Sequence, residues 1–187
     1  MRNAARDMEL WERGELLLAR ELSLLPAGRR DELRALLERM GRLKAELITL
    51  SDGAQGSAIC AACGGACCRV GRYHPTPLEI LAFQVEAETV VTPEFSSSVC
   101  PFLGVAGCRM ASNRRPFTCV IFICDLIEEW LGDDEVVRLN RLEEELRLLR
   151  EAVSVRFGPR LTGSLLLEMA RRDRDVAPLL IPTIDGG

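Results

Sequence analysis

Apolar residues recur at helical spacing in two long segments, one on each side of a cysteine-rich centre. In the first segment, residues 1–50, they are separated alternately by three and four positions: Leu33, Leu36, Met40, Leu43, Leu47 and Leu50. A second stripe lies upstream: Met8, Trp11, Leu18, Leu22 and Leu25. This spacing places the apolar side chains on one face of an α-helix. Because Pro26-Ala27-Gly28 interrupts the pattern, we expect an antiparallel helical hairpin over residues 1–50.

The same spacing returns in residues 133–187, in the stripe Leu139, Leu142, Leu146, Leu149 and Val153. It predicts a long helix from about Asp134 to Arg156 that ends at Gly158-Pro159. Thr162 is a candidate cap for a last helix, and the prolines and glycines of 174–187 predict an extended tail. We expect the two leucine seams to pack within one chain, giving a monomer or weak dimer. A coiled-coil surface for a protein partner is the alternative.

Residues 51–132 have shorter patterns. The small residues Ser51–Ser57 predict a linker. Thr76-Pro77-Leu78-Glu79 predicts a helix start, because Thr76 can cap the helix and Glu79 can complete a capping box. We expect this helix to reach about Ala87. The apolar run Val120–Leu131 predicts one further helix.

All eight cysteines fall inside this central part: Cys60, Cys63, Cys67, Cys68, Cys100, Cys108, Cys119 and Cys124. The Cys60-x-x-Cys63 spacing lets two thiolates point at one ion, and the following Gly64-Gly65 lets the backbone turn around it. The eight thiols suit two four-thiolate sites, with Cys67 and Cys68 divided between them, or one site with spectator cysteines. All eight are candidate metal ligands, and Cys124 is also a candidate buried thiol.

Composition and charge narrow the class of protein. The net charge of −4 argues against a nucleic-acid binder. No apolar run approaches the roughly 20 residues of a membrane span, and no secretory pattern opens the chain. We therefore expect a cytoplasmic protein with no membrane contact, where reduced, clustered cysteines favour metal binding over disulfides. Common nucleotide, metalloprotease and hydrolase motifs are absent and His74 is the single histidine, so no catalytic residue is predicted and enzymatic activity stays open.

The cysteine pattern resembles one known family. Cys60, Cys63, Cys67 and Cys68 are followed by Cys100-Pro101-Phe102-Leu103, then Cys108, then Arg115-Pro116-Phe117-Thr118-Cys119, and Cys124 trails them. This order of motifs resembles the YkgJ-type CxxCxxCC family of small bacterial zinc- or iron-chelating proteins. The resemblance covers residues 60–124, and one spacing differs: three residues separate Cys63 from Cys67, where the family has two. It implies that zinc or iron is bound by these cysteines.

The sequence thus predicts a mostly α protein, in which a helical bundle flanks a loop-rich, metal-organised cysteine cluster. Its parts are a hairpin over 1–50, a metal-binding region over 51–132, and C-terminal helices with a tail over 133–187. The leading hypothesis is metal binding, with zinc favoured over iron and a structural, storage or sensing role. His74 is a candidate extra ligand, and Arg115 a candidate partner for thiolate charge or for a nearby carboxylate. The alternatives are an iron–sulfur redox protein and a helical interaction protein with a structural metal.

Overall fold

Helices make up most of the computed structural model, which describes residues 4–63, 66–97, 99–105, 107–172 and 177–181. The α-helices are α1 (Ala4–Leu24), α2 (Ala27–Gly53), α3 (Gly56–Ala62), α4 (Pro77–Gln84), α5 (Phe117–Ile121), α6 (Asp125–Glu128), α7 (Asp133–Phe157) and α8 (Leu165–Arg171). Three segments are 3-10 helices: Ala66–Tyr73, Ser112–Arg114 and Pro159–Thr162. Two short antiparallel strands, β1 (Leu103–Gly104) and β2 (Gly107–Cys108), pair Leu103 with Cys108. The predicted mostly α class is confirmed.

The long helices α2 and α7 pack along each other. On α2 the buried apolar side chains are Leu33, Leu37, Met40, Leu43, Leu47, Ile48 and Leu50, and on α7 they are Leu139, Leu142, Leu146, Leu149, Val153 and Phe157. Each fully buried leucine contributes about 1.5–3 kcal/mol relative to an exposed one. The two seams predicted from the sequence therefore pack within one chain, as expected, whereas the oligomeric state stays a prediction.

Helix α1 packs mainly against α8 and α4, so its buried stripe faces later parts of the chain. Gly14 lies directly against α8. A Cβ atom at Gly14 would lie 2.8 Å from Cδ1 of Leu165, whose side chain is fully buried. The glycine therefore lets the two helices approach each other more closely than any larger residue would. Helices α1 and α2 follow one another as predicted, but α2 has α7 as its main partner.

The end of α7 depends on Gly158. The helix stops at this residue, as predicted, with a φ of +134°, a conformation that L-residues with side chains rarely adopt. A Cβ at Gly158 would also lie 2.4 Å from the carbonyl oxygen of Leu179. Leu179 is buried and its N–H donates to the carboxylate of Glu21 on α1. Of the predicted tail, 177–181 are non-helical as expected, and 174–176 and 182–187 lie outside the described residues.

Two central predictions are wrong in detail. The expected linker Ser51–Ser57 is mostly helical, because α2 continues through Gly53 and α3 starts at Gly56 after a short turn. The expected single helix Val120–Leu131 is two short helices, α5 and α6. Phe122 between them has extended backbone angles (φ −84°, ψ 99°). The neighbouring β-branched residues Val120, Ile121 and Ile123 favour such a break, because they restrict side-chain rotamers in a helix.

Of the two helix caps predicted from the sequence, one is confirmed and the other is wrong. The capping box at the start of α4 is present as predicted, with Thr76 and Glu79 bonded reciprocally, although the helix ends at Gln84. The predicted cap at Thr162 is wrong. Thr162 lies at the end of a 3-10 turn and its hydroxyl donates to the carbonyl of Pro159, so α8 begins only after Ser164.

Candidate thiol-rich site

Four cysteines from separate parts of the chain lie near enough to interact electrostatically around Cys119. Cys68 lies in the 3-10 helix Ala66–Tyr73, Cys100 just before β1, Cys108 on β2, and Cys119 on α5. Cys100 is buried, and the other three are partly buried. Burial raises the pKa of the Cys119 thiol far above its ordinary value, and the nearby thiols of Cys100, Cys108 and Cys68 raise it further. These cysteines, far apart in sequence, are therefore electrostatic neighbours in the fold.

His74 completes this group. Its Nδ1 atom lies 3.1 Å from Sγ of Cys119, within hydrogen-bonding distance for sulfur. Burial lowers the pKa of His74 below its ordinary value, while the pKa of Cys119 is raised. Both shifts favour the uncharged forms near pH 7. The single histidine, predicted as a candidate extra ligand, thus lies directly against a candidate cysteine.

Gly71 lets the 3-10 segment approach the loop that carries Cys100. A Cβ atom at this position would lie 2.6 Å from Sγ of Cys100 and 2.8 Å from its Cβ. Contacts below about 3 Å between such atoms are not tolerated without movement of the chain, so a larger residue here would separate the segment bearing Cys68 from Cys100. The glycine therefore allows the thiols to gather.

Helix α1 holds these loops in place. The indole of Trp11, which is 2% exposed, contacts the rings of Phe95 and Phe102, with centroids 6.2 and 5.5 Å away. Arg72, also 2% exposed, pairs with Asp7 at 2.5 Å. Aromatic contacts and a buried guanidinium pair both restrict the positions of the segments they join. The elements on either side of Cys100 are thus fixed to the bundle.

A buried ion pair positions α5, the helix that carries Cys119. Lys44 of α2 donates to Glu79 of α4 at 2.7 Å, and the side chains are 5% and 1% exposed. Glu79 also accepts from the backbone N–H of Phe117, at the start of α5, and from both the N–H and hydroxyl of Thr76. Burial alone raises the pKa of Glu79, but the Lys44 charge and the hydrogen bonds outweigh it and hold that pKa below its ordinary value.

Sequence reasoning missed part of this network. Lys44 lies beside the leucine seam, and only its apolar neighbours Leu43 and Leu47 suggest that it is buried. Arg115, predicted as a partner for thiolate or carboxylate charge, donates instead to the carbonyl of Met110 at 3.4 Å. The adjacent Arg114 is buried instead, and it forms two hydrogen bonds, of 2.8 and 2.6 Å, with the carboxylate of Glu88.

The remaining cysteines lie differently. Cys60 and Cys63 are exposed on and just after α3, which packs against β2 and α6, and Sγ of Cys63 lies 3.3 Å from the carbonyl oxygen of Cys60. Cys124 is partly buried at the start of α6. The side chain of Cys67, with Gly64 and Gly65, lies outside the described part of the chain.

The described residues do not form a complete ligand set. Among them, no three Cys, His, Asp or Glu side chains are arranged so that they could hold a metal ion. None of Cys63, Cys100, Cys108, Cys119 and Cys124 forms a disulfide. The gathered thiols and imidazole are soft and borderline donors of the kind that zinc and iron accept, so the donor chemistry fits the predicted ion. The eight-cysteine assignment stays a prediction.

No helix within the described ranges is both long enough and apolar enough to cross a membrane.

Comparison with known proteins finds no relative. No family model matches the chain, and no curated protein or solved structure matches it either. The resemblance of residues 60–124 to the YkgJ-type family therefore remains an inference from the cysteine motifs.

Proposed function

We propose that residues 60–124 bind metal through cysteine thiolates, with zinc favoured. The observation that supports this proposal is the convergence of Cys68, Cys100, Cys108 and His74 on Cys119. Cys119 contacts the single histidine and is close enough to three other thiols for their charges to raise its pKa, an arrangement that cysteines used only as small apolar residues would not need. The full set of candidate ligands is Cys60, Cys63, Cys67, Cys68, Cys100, Cys108, Cys119 and Cys124.

Thiolates in this group would need a cation to compensate their charge. Burial and neighbouring thiols raise the pKa of Cys119, and burial also raises the pKa of Cys100. These shifts mean that thiolates in this region would repel one another and lack solvation. A divalent ion would compensate that charge, because metal binding and thiol deprotonation are thermodynamically linked. Cys68, Cys100, Cys108 and Cys119 would hold such an ion, and His74 would bind it or orient Cys119.

A structural role suits the surrounding chain. Between α4 and α7, the described residues form only two-residue strands and helices of three to five residues. Such a segment has few backbone hydrogen bonds from long helices or sheets, so crosslinking its elements through thiolates would contribute directly to its folding. Storage or sensing of the ion is the other role that the same site would support.

The test is the metal content of protein purified under reducing, oxygen-free conditions without chelator. We expect one to two equivalents of zinc per chain, and a loss of about one equivalent in Cys119→Ser. Thr118→Ser is the matched control, because Thr118 is exposed beside Cys119 and should keep the full metal content. Folded protein with no metal and eight titratable thiols would contradict the proposal.

The same purified protein distinguishes zinc binding from the alternative function, an iron–sulfur redox protein. Thiolate donors also bind iron–sulfur clusters, which are brown, whereas zinc–thiolate sites are colourless. Visible absorption that bleaches on reduction, together with stoichiometric iron and sulfide, would assign the thiol-rich site to a redox protein instead. The neighbouring thiols are compatible with a zinc site and with an iron–sulfur cluster, and the absorption spectrum distinguishes the two.

A further inference from the structure

A second surface of the molecule combines exposed large apolar side chains with unbalanced negative charge. Phe122, Leu126 and Trp130 are 59%, 55% and 60% exposed. The chain has only six Phe, two Trp and one Tyr, so two of its few aromatic rings face solvent within nine residues. Burying these rings against a partner would be favourable, because it would remove their apolar surface from water. We name this surface, from Phe122 to Val137, the acidic apolar surface.

The stretch of sequence that carries these side chains has charges of one sign only. Between Arg115 and Arg138 the sequence has no Lys, Arg or His, while the same stretch contains six carboxylates: Asp125, Glu128, Glu129, Asp133, Asp134 and Glu135. All six are exposed, and none is paired with a basic side chain within the described part of the chain. The stretch therefore carries a charge of −6, more negative than the −4 of the whole chain.

The apolar side chains are held in place by the core beneath them. Ile127 of α6 is 4% exposed, while its neighbour Leu126 points to solvent. The N–H of Trp130 donates to the carbonyl of Ile127 at 3.1 Å, which continues the turn of α6. Leu126 and Trp130 thus lie before and after the buried Ile127 in one short turn, and both are exposed. This short turn, anchored by Ile127, presents a leucine and a tryptophan to solvent.

We infer that the acidic apolar surface is a docking site for a basic, amphipathic segment of another protein. Its carboxylates would repel nucleic acids and anionic membranes, so charge complementarity selects a cationic partner. Its exposed Trp130 and Phe122 are side chains that dominate binding energy when buried at interfaces. A helix with Lys or Arg on one side and leucines on the other meets both requirements. This inference does not depend on the metal proposal.

The two tryptophans make the inference measurable. Trp11 is 2% exposed and Trp130 is 60% exposed, so quenchable fluorescence and any spectral shift on binding report mainly on Trp130. The probe is a short synthetic helix of leucine and lysine, with the leucines spaced by three and four positions. We expect it to shift the Trp130 emission to the blue and to protect it from acrylamide. Raising the salt from about 50 to about 500 mM should weaken binding at least ~5-fold, because the Debye length falls from about 14 to about 4 Å.

Matched variants separate the surface from non-specific adhesion. Leu126→Ser should weaken binding of the Leu/Lys helix by about 10-fold, whereas Leu148→Ser should leave it unchanged. Leu148 is 57% exposed, close to the 55% of Leu126, but it lies on α7 beside Arg147. Glu128→Gln with Glu129→Gln should reduce both the affinity and its salt dependence. All variants are checked by circular dichroism so that only folded protein is compared.

Three results would overturn the inference. One is equal binding of a control helix in which every lysine is glutamate. Another is an equal loss of affinity in Leu126→Ser and Leu148→Ser. The third is sedimentation as a dimer, at the concentration of the fluorescence experiment, that protects Trp130 without any peptide, because the surface would then be covered by a second copy of this chain.

Discussion

Replacing Lys44 by methionine tests the buried ion pair that positions α5. Lys44 and Glu79 are almost completely buried and 2.7 Å apart, and Glu79 keeps hydrogen bonds only from Thr76 and Phe117 when the ammonium is removed. Methionine retains most of the aliphatic volume of lysine, so the change removes charge and leaves no large cavity.

The expected loss of stability is large, because one charge of a buried pair is left without its partner. Such losses are about 3–5 kcal/mol. With a urea m-value of about 2 kcal/mol/M, the midpoint of unfolding should fall by about 1.5–2.5 M. The measurement is urea unfolding followed by circular dichroism at pH 7.

The matched control is Arg138→Met. Arg138 also bridges two elements, pairing with Glu46 at 3.3 Å, but the two side chains are 59% and 48% exposed. Exposed pairs contribute about 1 kcal/mol or less, so the control midpoint should move by under about 0.5 M. Equal midpoints for the two variants would refute the argument that burial makes the Lys44–Glu79 pair important.

The pH dependence of the stability tests the same ion pair independently. The pKa of Glu79 is lower in the folded protein than in the unfolded chain. Its contribution to stability is therefore fully present above the unfolded pKa, about 4.3, and is lost as the pH falls from there through the folded value. In Lys44→Met, burial is left without its main opposing interaction, so the pKa of Glu79 should rise and the variant should gain stability on acidification. Glu79→Gln should show neither dependence.

Further tests address the turn, the thiols and the leucine seam. Gly158→Ala should destabilise the protein by about 1–3 kcal/mol, because alanine tolerates a positive φ poorly, whereas Gly28→Ala, in open space within α2, should be neutral or stabilising by up to about 1 kcal/mol in urea unfolding. In metal-free, reduced protein, the exposed Cys63 should react with a maleimide well before the buried Cys100, as measured by peptide mass mapping, and equal rates would contradict the observed burial. Leu43→Glu should reduce the folded fraction in circular dichroism, because Leu43 is 6% exposed within the chain; a folded monomer released from a dimer would show that the seam faces a partner.

The long helices were predictable because their signal is repeated many times. Each leucine stripe samples one helical face over several turns, so single exceptions do not hide it. Breaks marked by Pro26 and Gly158 were also correct, since both residues restrict or permit backbone angles directly. The single helix predicted over Val120–Leu131 was wrong, because twelve residues without Pro or Gly contain no signal that marks a break. Whether such a run stays continuous depends on what it packs against.

The candidate site was predictable in its residue types and not in its arrangement. Clustered cysteines indicated the chemistry, but the approach of Cys68, Cys100 and Cys119 depends on contacts far apart in sequence. Gly71 was not identified as important, because only the folded chain shows Sγ of Cys100 beside it. Lys44 was missed for the same reason: its charge is satisfied by a carboxylate 35 residues away.

The contact between Gly14 and Leu165 has a consequence for how the chain is made. About 150 residues separate these positions, and ribosomes add roughly 5–20 residues per second. The part of the apolar face of α1 that packs against α8 therefore waits roughly 8–30 s for α8 to be synthesised. During that interval this part of α1 is available to chaperones and to neighbouring nascent chains, whereas Trp11 meets Phe95 and Phe102 earlier. Part of the first helix to emerge is therefore among the last surfaces to be covered.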